Sequence, residues 1–186
     1  MASLVVEFSA QDPQRLARWW ADVLGWELDA GAGTTVHPVG PGVELRFVPG
    51  GTAGEGQNDV HLDLRSESHD GQNRLVERLF NAGARFADVG QGDEVPWVVM
   101  ADVEGNELCV LEPRKVYERT GPVAAVVVHT PDPRAAARSW AERTGMDLVS
   151  DRAEFAALCP VSGEGPHLEF LVSTSVAAGR VRVLAR

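Results

Sequence analysis

The sequence predicts an α+β fold of three strand–helix–three-strand (βαβββ) units followed by the first strand of a fourth. Three observations predict it. The segment Asp12-Pro13-Gln14-Arg15-Leu16-Ala17-Arg18-Trp19-Trp20-Ala21 recurs as Asp132-Pro133-Arg134-Ala135-Ala136-Ala137-Arg138-Ser139-Trp140-Ala141. Each copy follows an apolar, strand-like run and precedes a glycine, Gly25 or Gly145, with Leu28 or Leu148 just beyond. Residues 179–186 then mimic the start of the second unit, residues 58–65, and the repeat of a whole strand–helix–strand pattern marks duplicated modules.

The elements follow in order. Residues 4–8 are short, apolar and β-branched, interrupted by Glu7, and read as a strand. Asp12 offers an N-cap side chain, and Pro13 stands at the first helical position, where its missing N–H costs nothing. Leu16, Trp19, Trp20, Val23 and Leu24 recur at helical spacing, and Gly25 suits the left-handed residue that ends the helix. Strands are expected around residues 26–28, 34–38 and 43–48, before a glycine-rich loop over 49–58. Val60-His61-Leu62-Asp63-Leu64 alternates as a half-buried strand should. Leu75, Val76, Leu79 and Phe80 then build a helix over 73–82, ended by Gly83. Strands near 85–88, 97–102 and 107–111 complete the second unit, with Val103-Glu104-Gly105-Asn106 as a hairpin turn. The third unit has a strand over 123–129, a helix over 132–144 ended by Gly145, and strands near 147–149, 154–159 and 167–172.

Composition bounds what the chain does. Its 186 residues, 44% hydrophobic and 24% charged, suit one full domain and part of another. The formal charge of -10, with Lys and Arg scattered rather than striped, disfavours nucleic acid, whose phosphates need clustered cations. No apolar run approaches the roughly 20 residues of a membrane helix. The first residues lack a basic segment and reach Glu7 too early for a signal peptide. Two cysteines, Cys109 and Cys159, suggest a reducing compartment. The expectation is a soluble cytoplasmic protein.

The βαβββ order with Asp-Pro helix starts resembles the vicinal oxygen chelate superfamily of glyoxalases, bleomycin-resistance proteins and extradiol dioxygenases. Within it the chain is most similar to the glyoxalase-like domain group common in high-GC Gram-positive bacteria. The resemblance is carried by residues 12–25, Val60-His61-Leu62-Asp63-Leu64, Gly83-Ala84-Arg85, and residues 97–111. It covers units one and two well, unit three moderately, and the tail as a fragment.

That resemblance implies paired modules whose curved mixed sheets enclose a cleft, with a divalent metal there in catalytic members. It implies a complete two-module domain over 1–113, a linker over 114–121, and a third module with a truncated fourth over 122–186. Its metal seats, one on the first and one on the last strand of each module, are normally His or Gln, Glu, His and Glu. They fall here on Val5, Glu44, His61 and Cys109. Glu44, His61 and thiolate Cys109 make three donors that Zn²⁺ accepts with water in a fourth position, but Val5 leaves one side without a ligand. No cofactor is therefore expected, with a divalent Zn, Fe or Ni ion as the alternative. The blander reading makes His61 a partly buried histidine satisfied by a neighbouring Glu, for which Glu44 is the candidate, or by a backbone carbonyl, and Cys109 a small buried hydrophobe.

In unit three the counterparts of Val5, Glu44 and His61 are read as Ala125, Glu169 and Arg182. Arg182 and Glu169 could make a salt bridge or hold an acidic ligand, and both readings stay open. His129 is read as a strand-end turn residue, and His37 and His69 as loop or helix-cap residues. Trp20 and Trp140, at equivalent helix positions, are read as core, whereas Trp26 and Trp97 are placed to line a cleft mouth and suit a planar ligand.

Three functions are weighed. The leading one is a binder of a small apolar or aromatic molecule, lined by Val5, Glu44, His61, Trp97 and Cys109 between units one and two. The second is a metal-dependent lyase, isomerase or dioxygenase using Glu44, His61 and Cys109. The third is a regulatory or assembly module with a relic cleft. An unmated third unit exposes an apolar sheet face and a free strand edge, which predicts a homodimer through that unit. Capping by the tail strand over 181–184 is the in-chain alternative.

Overall fold

The computed structural model describes residues 4–50, 58–90, 92, 94–173 and 179–186. Most of the glycine-rich loop expected over 49–58 therefore lies outside the described residues. The first unit runs β1 (Leu4–Ala10), α1 (Pro13–Leu24), β2 (Glu27–Leu28), β3 (Thr35–His37) and β4 (Glu44–Pro49). The second runs β5 (Val60–Leu64), α2 (His69–Asn81), β6 (Arg85–Phe86), β7 (Val98–Ala101) and β8 (Glu107–Val110). A 3₁₀ turn, Lys115–Tyr117, leads into β9 (Val123–Thr130), α3 (Pro133–Thr144), β10 (Asp147–Asp151), β11 (Phe155–Cys159), β12 (His167–Val172) and β13 (Val181–Ala185). None of these helices is long and apolar enough to cross a membrane.

Side-chain chemistry sets the helix ends. Asp12 and Asp132 accept the Arg15 and Ala135 N–H groups, with proline in the first turn of each helix. Gly25 and Gly145 close α1 and α3 in the left-handed conformation at φ 66° and 72°. Helix α2 starts four residues earlier than its apolar spacing predicts. Ser68 caps it by accepting from the Gly71 N–H at 3.0 Å, and the polar turn that follows carries no apolar periodicity to read.

The strands make two mixed sheets. One has five strands in the order β13-β1-β4-β3-β2, the other eight in the order β10-β11-β12-β9-β5-β8-β7-β6. The expected pairing of units one and two is not the one formed. Strand β5 pairs antiparallel with β9, so units two and three share the eight-stranded sheet. Strand β1 takes β13 on its open edge instead. The reason is complementary apolar ladders. Leu62 faces Val126 and Val60 faces Val128 across one seam, while Val6 faces Val183 and Phe8 faces Val181 across the other. The tail strand thus caps unit one rather than unit three, and β5 fills the strand edge that motivated a homodimer.

Units one and two meet on their helical side. The indole N–H of Trp20 donates to Asp102 at 3.1 Å, Trp19 donates to the Ala82 carbonyl at 2.8 Å, and Arg78 donates to the Val23 carbonyl at 2.9 Å. Glu104 accepts the N–H groups of Gln11 and Asp12 at 2.8 and 2.9 Å. Phe8, Leu16, Trp20 and Phe47 from unit one share one contiguous core with Leu62, Leu79, Leu108, Leu158 and Phe170. Burying each such side chain contributes about 1.5–3 kcal/mol. With the helical faces consumed in this way, the opposite sheet faces are left to form clefts.

Candidate functional site

Alternation along the strands decides which side chains face the cleft. In β5, Leu62 and Leu64 enter the core, so His61 and Asp63 point to the other face of the sheet. In β8, Leu108 and Val110 enter the core and Cys109 points with Asp63, its direct partner in the parallel register. Across the seam, His61 lies opposite Val127 of β9. A hollow of about 160 Å³ opens over this seam, lined by His61, Asp63, Cys109, Arg114, His129 and Glu169, with Trp97, Leu111, Phe155 and Leu171 as apolar wall.

Two polar groups of atoms meet there. His61 Nε2 lies 3.3 Å from Asp63 Oδ1, and the ligand atoms of His61, Asp63 and Cys109 all lie within 4.8 Å of one another. Among the described residues this is the one group of His, Cys, Asp and Glu side chains close enough to share an ion. His61 Nδ1 and Asp63 Oδ1 are buried and lack hydrogen-bond partners. The His61–Asp63 approach is therefore a near contact without the alignment of a bond. On the other side of the seam, the Tyr117 hydroxyl donates to Glu169 Oε1 at 2.7 Å, with His167 Nδ1 at 3.9 Å from the same oxygen. The His61 and His129 rings stand 5.3 Å apart. Arg114 lies over the Trp97 ring at 5.7 Å and forks onto Glu112 at 2.6 and 3.2 Å.

Burial governs the proton affinities. It pushes the Cys109 thiol up, aided by the charge of Asp63 and a hydrogen bond to it, so a thiolate forms there only under a strong counter-charge. Burial pushes the Glu169 carboxyl up to about 7, against the hydrogen bond from Tyr117. The Tyr117 hydroxyl is raised by burial and by Glu169. His129 is pulled down to about 4, first by burial and then by His61, and stays neutral at pH 7.

His61, Trp97 and Cys109 thus line one hollow, while Val5 and Glu44 belong to the five-stranded sheet. Glu44 is not the partner of His61. It faces Arg186 at 3.2 Å, Arg46 at 3.5 Å and His37 at 3.6 Å. Arg182 pairs with Glu7, not with Glu169. The register also corrects the counterparts in unit three, because Val5 pairs with Glu44 as Ala125 pairs with His167. Glu7 and Arg46, Asp63 and Cys109, and Val127 and Glu169 are then equivalent pairs, each first member five residues before its helix cap. At this position unit one carries an ion pair, at 3.4 Å, where unit two carries Asp63 and Cys109.

Sequence reading missed Asp63, Tyr117 and the inward turn of His129. Asp63 was open to discovery, since it lies two residues from His61 on one face of a strand. Tyr117 carried no such signal, because it falls in the stretch read as a linker, yet it is buried on the site.

The family model described as Glyoxalase-like domain matches residues 3–111. No curated protein matches the chain in sequence. Among solved structures, the chain is similar to glyoxalase I from Zea mays, at 13% identity and a TM-score of 0.65, over 98% of this chain and 72% of that one. It is also similar to a putative dioxygenase from Bacillus subtilis subsp. subtilis str. 168, at 16% identity and a TM-score of 0.56. There it covers 97% of its own length and 65% of the other chain, which is less than two thirds of that protein. At such identities the likeness speaks for the fold.

Proposed function

The chain belongs to the glyoxalase-like domain family, and on that premise we propose that it holds a divalent transition-metal ion on His61, Asp63 and Cys109 and presents it to a small molecule in the hollow between units two and three. One observation carries the reading. Asp63 Oδ1 is buried without a hydrogen-bond partner, 3.3 Å from His61 Nε2 and in one cluster with the Cys109 thiol. Burying such a carboxylate oxygen unpaired costs about 1–3 kcal/mol, a cost that coordination would offset. A nitrogen, a carboxylate oxygen and a sulfur form a donor set suited to zinc or a similar borderline ion. Once bound, the ion would supply Lewis-acid polarisation of a substrate oxygen.

The chain's own residues supply the rest. Trp97, Leu111, Phe155 and Leu171 exclude water and offer an apolar wall to the ligand. Glu169, with a carboxyl near 7 and the Tyr117 hydroxyl on one oxygen, can hold or release a proton at neutral pH. His129, neutral at that pH, adds an imidazole without adding charge.

The test is spectroscopic. Metal-free protein titrated with Co²⁺ should take up one equivalent and develop a thiolate-to-cobalt charge-transfer band. Cys109→Ser should remove the band, and Asp63→Asn and His61→Ala should each weaken uptake at least about tenfold. A band that persists in Cys109→Ser, or no uptake by the unaltered protein, would overturn the assignment. A second reading, ligand binding in this hollow without metal, draws on its apolar wall and on a Cys109 thiol that burial keeps protonated. It predicts that a small aromatic compound raises the melting temperature of chelator-treated protein.

A further inference from the structure

Away from that hollow, units one and three face each other across a second cavity of about 390 Å³. Its apolar lining comes from Leu4 and Val43 of unit one and from Met146, Val161 and Pro166 of unit three. The volume lies within the range of small-molecule sites, about 300–1,000 Å³.

Both walls are pinned, so the cavity is formed before any ligand arrives. On the unit-one side, a Cβ on Gly42 would lie 2.5 Å from Pro38 Cβ and 2.7 Å from the Trp26 ring, so this turn is pressed onto an indole. A Cβ on Gly121 would lie 2.2 Å from the Pro41 carbonyl oxygen, which sets the segment after the 3₁₀ turn hard against the same loop. On the unit-three side, Gly163 N–H donates to the Pro160 carbonyl at 2.7 Å and Gly165 N–H to the Arg119 carbonyl at 3.0 Å. A preformed site binds without the entropy loss of ordering its walls.

The charges at the rim decide the ligand class. Three ionisable groups line the cavity, Glu44, Glu164 and His37; Glu44 meets Arg186 at 3.2 Å and His37 at 3.6 Å, and Glu164 meets Arg119 at 2.6 Å. A charged ligand would find no uncommitted opposite charge to repay its lost hydration. We propose that this cavity is a second small-molecule site, taking an uncharged, largely apolar compound of roughly ten to twenty heavy atoms. It lies on residues separate from His61, Asp63 and Cys109, so it stands or falls independently of the metal.

The test uses the neutral fluorescent probe N-phenyl-1-naphthylamine with the full chain. Saturable binding of one probe per chain is expected, with a rise in probe emission. Val161 is exposed, so Val161→Asp should leave the fold intact while weakening the probe at least about tenfold. Met146→Asp should act in the same direction, and His61→Ala should leave probe affinity unchanged. The proposal is overturned if binding does not saturate, if both aspartate variants bind as the unaltered chain does, or if His61→Ala abolishes binding, which would move the probe to the other hollow.

Discussion

At pH 7 Glu169 sits near the midpoint of its titration, because burial raises its carboxyl from 4.5 to about 7 against the hydrogen bond from Tyr117. Between those values the folded chain holds a proton there that the unfolded chain has lost. Its contribution is therefore full below about 4.5 and is lost as pH rises through about 7. His129 has the opposite sign: its folded value near 4 lies below 6.5, so stability is lost as pH falls through that window. The two trends oppose each other in the unaltered protein, and a single variant separates them. Glu169→Gln should gain stability relative to the unaltered metal-free chain as pH is raised from 5 to 8, read from paired urea titrations. A constant difference across that range would contradict the buried, protonated carboxyl. Only part of this hollow is legible from the chain alone. Of the five residues the sequence points to, His61, Trp97 and Cys109 line it and Val5 and Glu44 do not, whereas Asp63 reads as part of a strand pattern and Tyr117 as linker. A pattern of period two reports which face a side chain takes, but not which other strand lies beside it.

At the scale of elements, local chemistry ruled wherever a side chain closes on its own backbone. The Asp-Pro starts of α1 and α3 and their glycine ends appear where the spacing predicts, because caps act within one turn of chain. The start of α2 departs from its apolar spacing because Ser68 sets it. The segment over 114–121, which reads as a linker, takes its structure from distant partners. Tyr117 reaches Glu169, and Gly121 at φ 79° presses on Pro41. Gly121→Ala should therefore cost about 2–4 kcal/mol in a urea titration, since the added Cβ meets a carbonyl oxygen in a left-handed backbone. A loss below about 0.5 kcal/mol would show that this contact is not tight.

At the scale of the whole molecule, one apolar core joins both sheets through Phe8 and Phe47 on one and Leu62, Leu108 and Phe170 on the other, with Trp20 of α1. Unfolding should accordingly be a single transition, with tryptophan fluorescence, weighted to unit one by Trp19, Trp20 and Trp26, tracking far-ultraviolet circular dichroism. Separated midpoints would mean that units one and two do not melt together. The sequence by itself determined the mixed α+β order of elements, the caps of α1 and α3, and the apolar face of β5, all of which follow from contacts within a few residues. Only the tertiary structure decided that β5 joins β9 while β1 joins β13, and hence that His61 shares a hollow with Asp63 and Glu169 while Glu44 is held by arginines. Every first strand of a repeated unit offers a similar apolar edge. The choice among those edges belongs to long-range packing, which local periodicity does not encode.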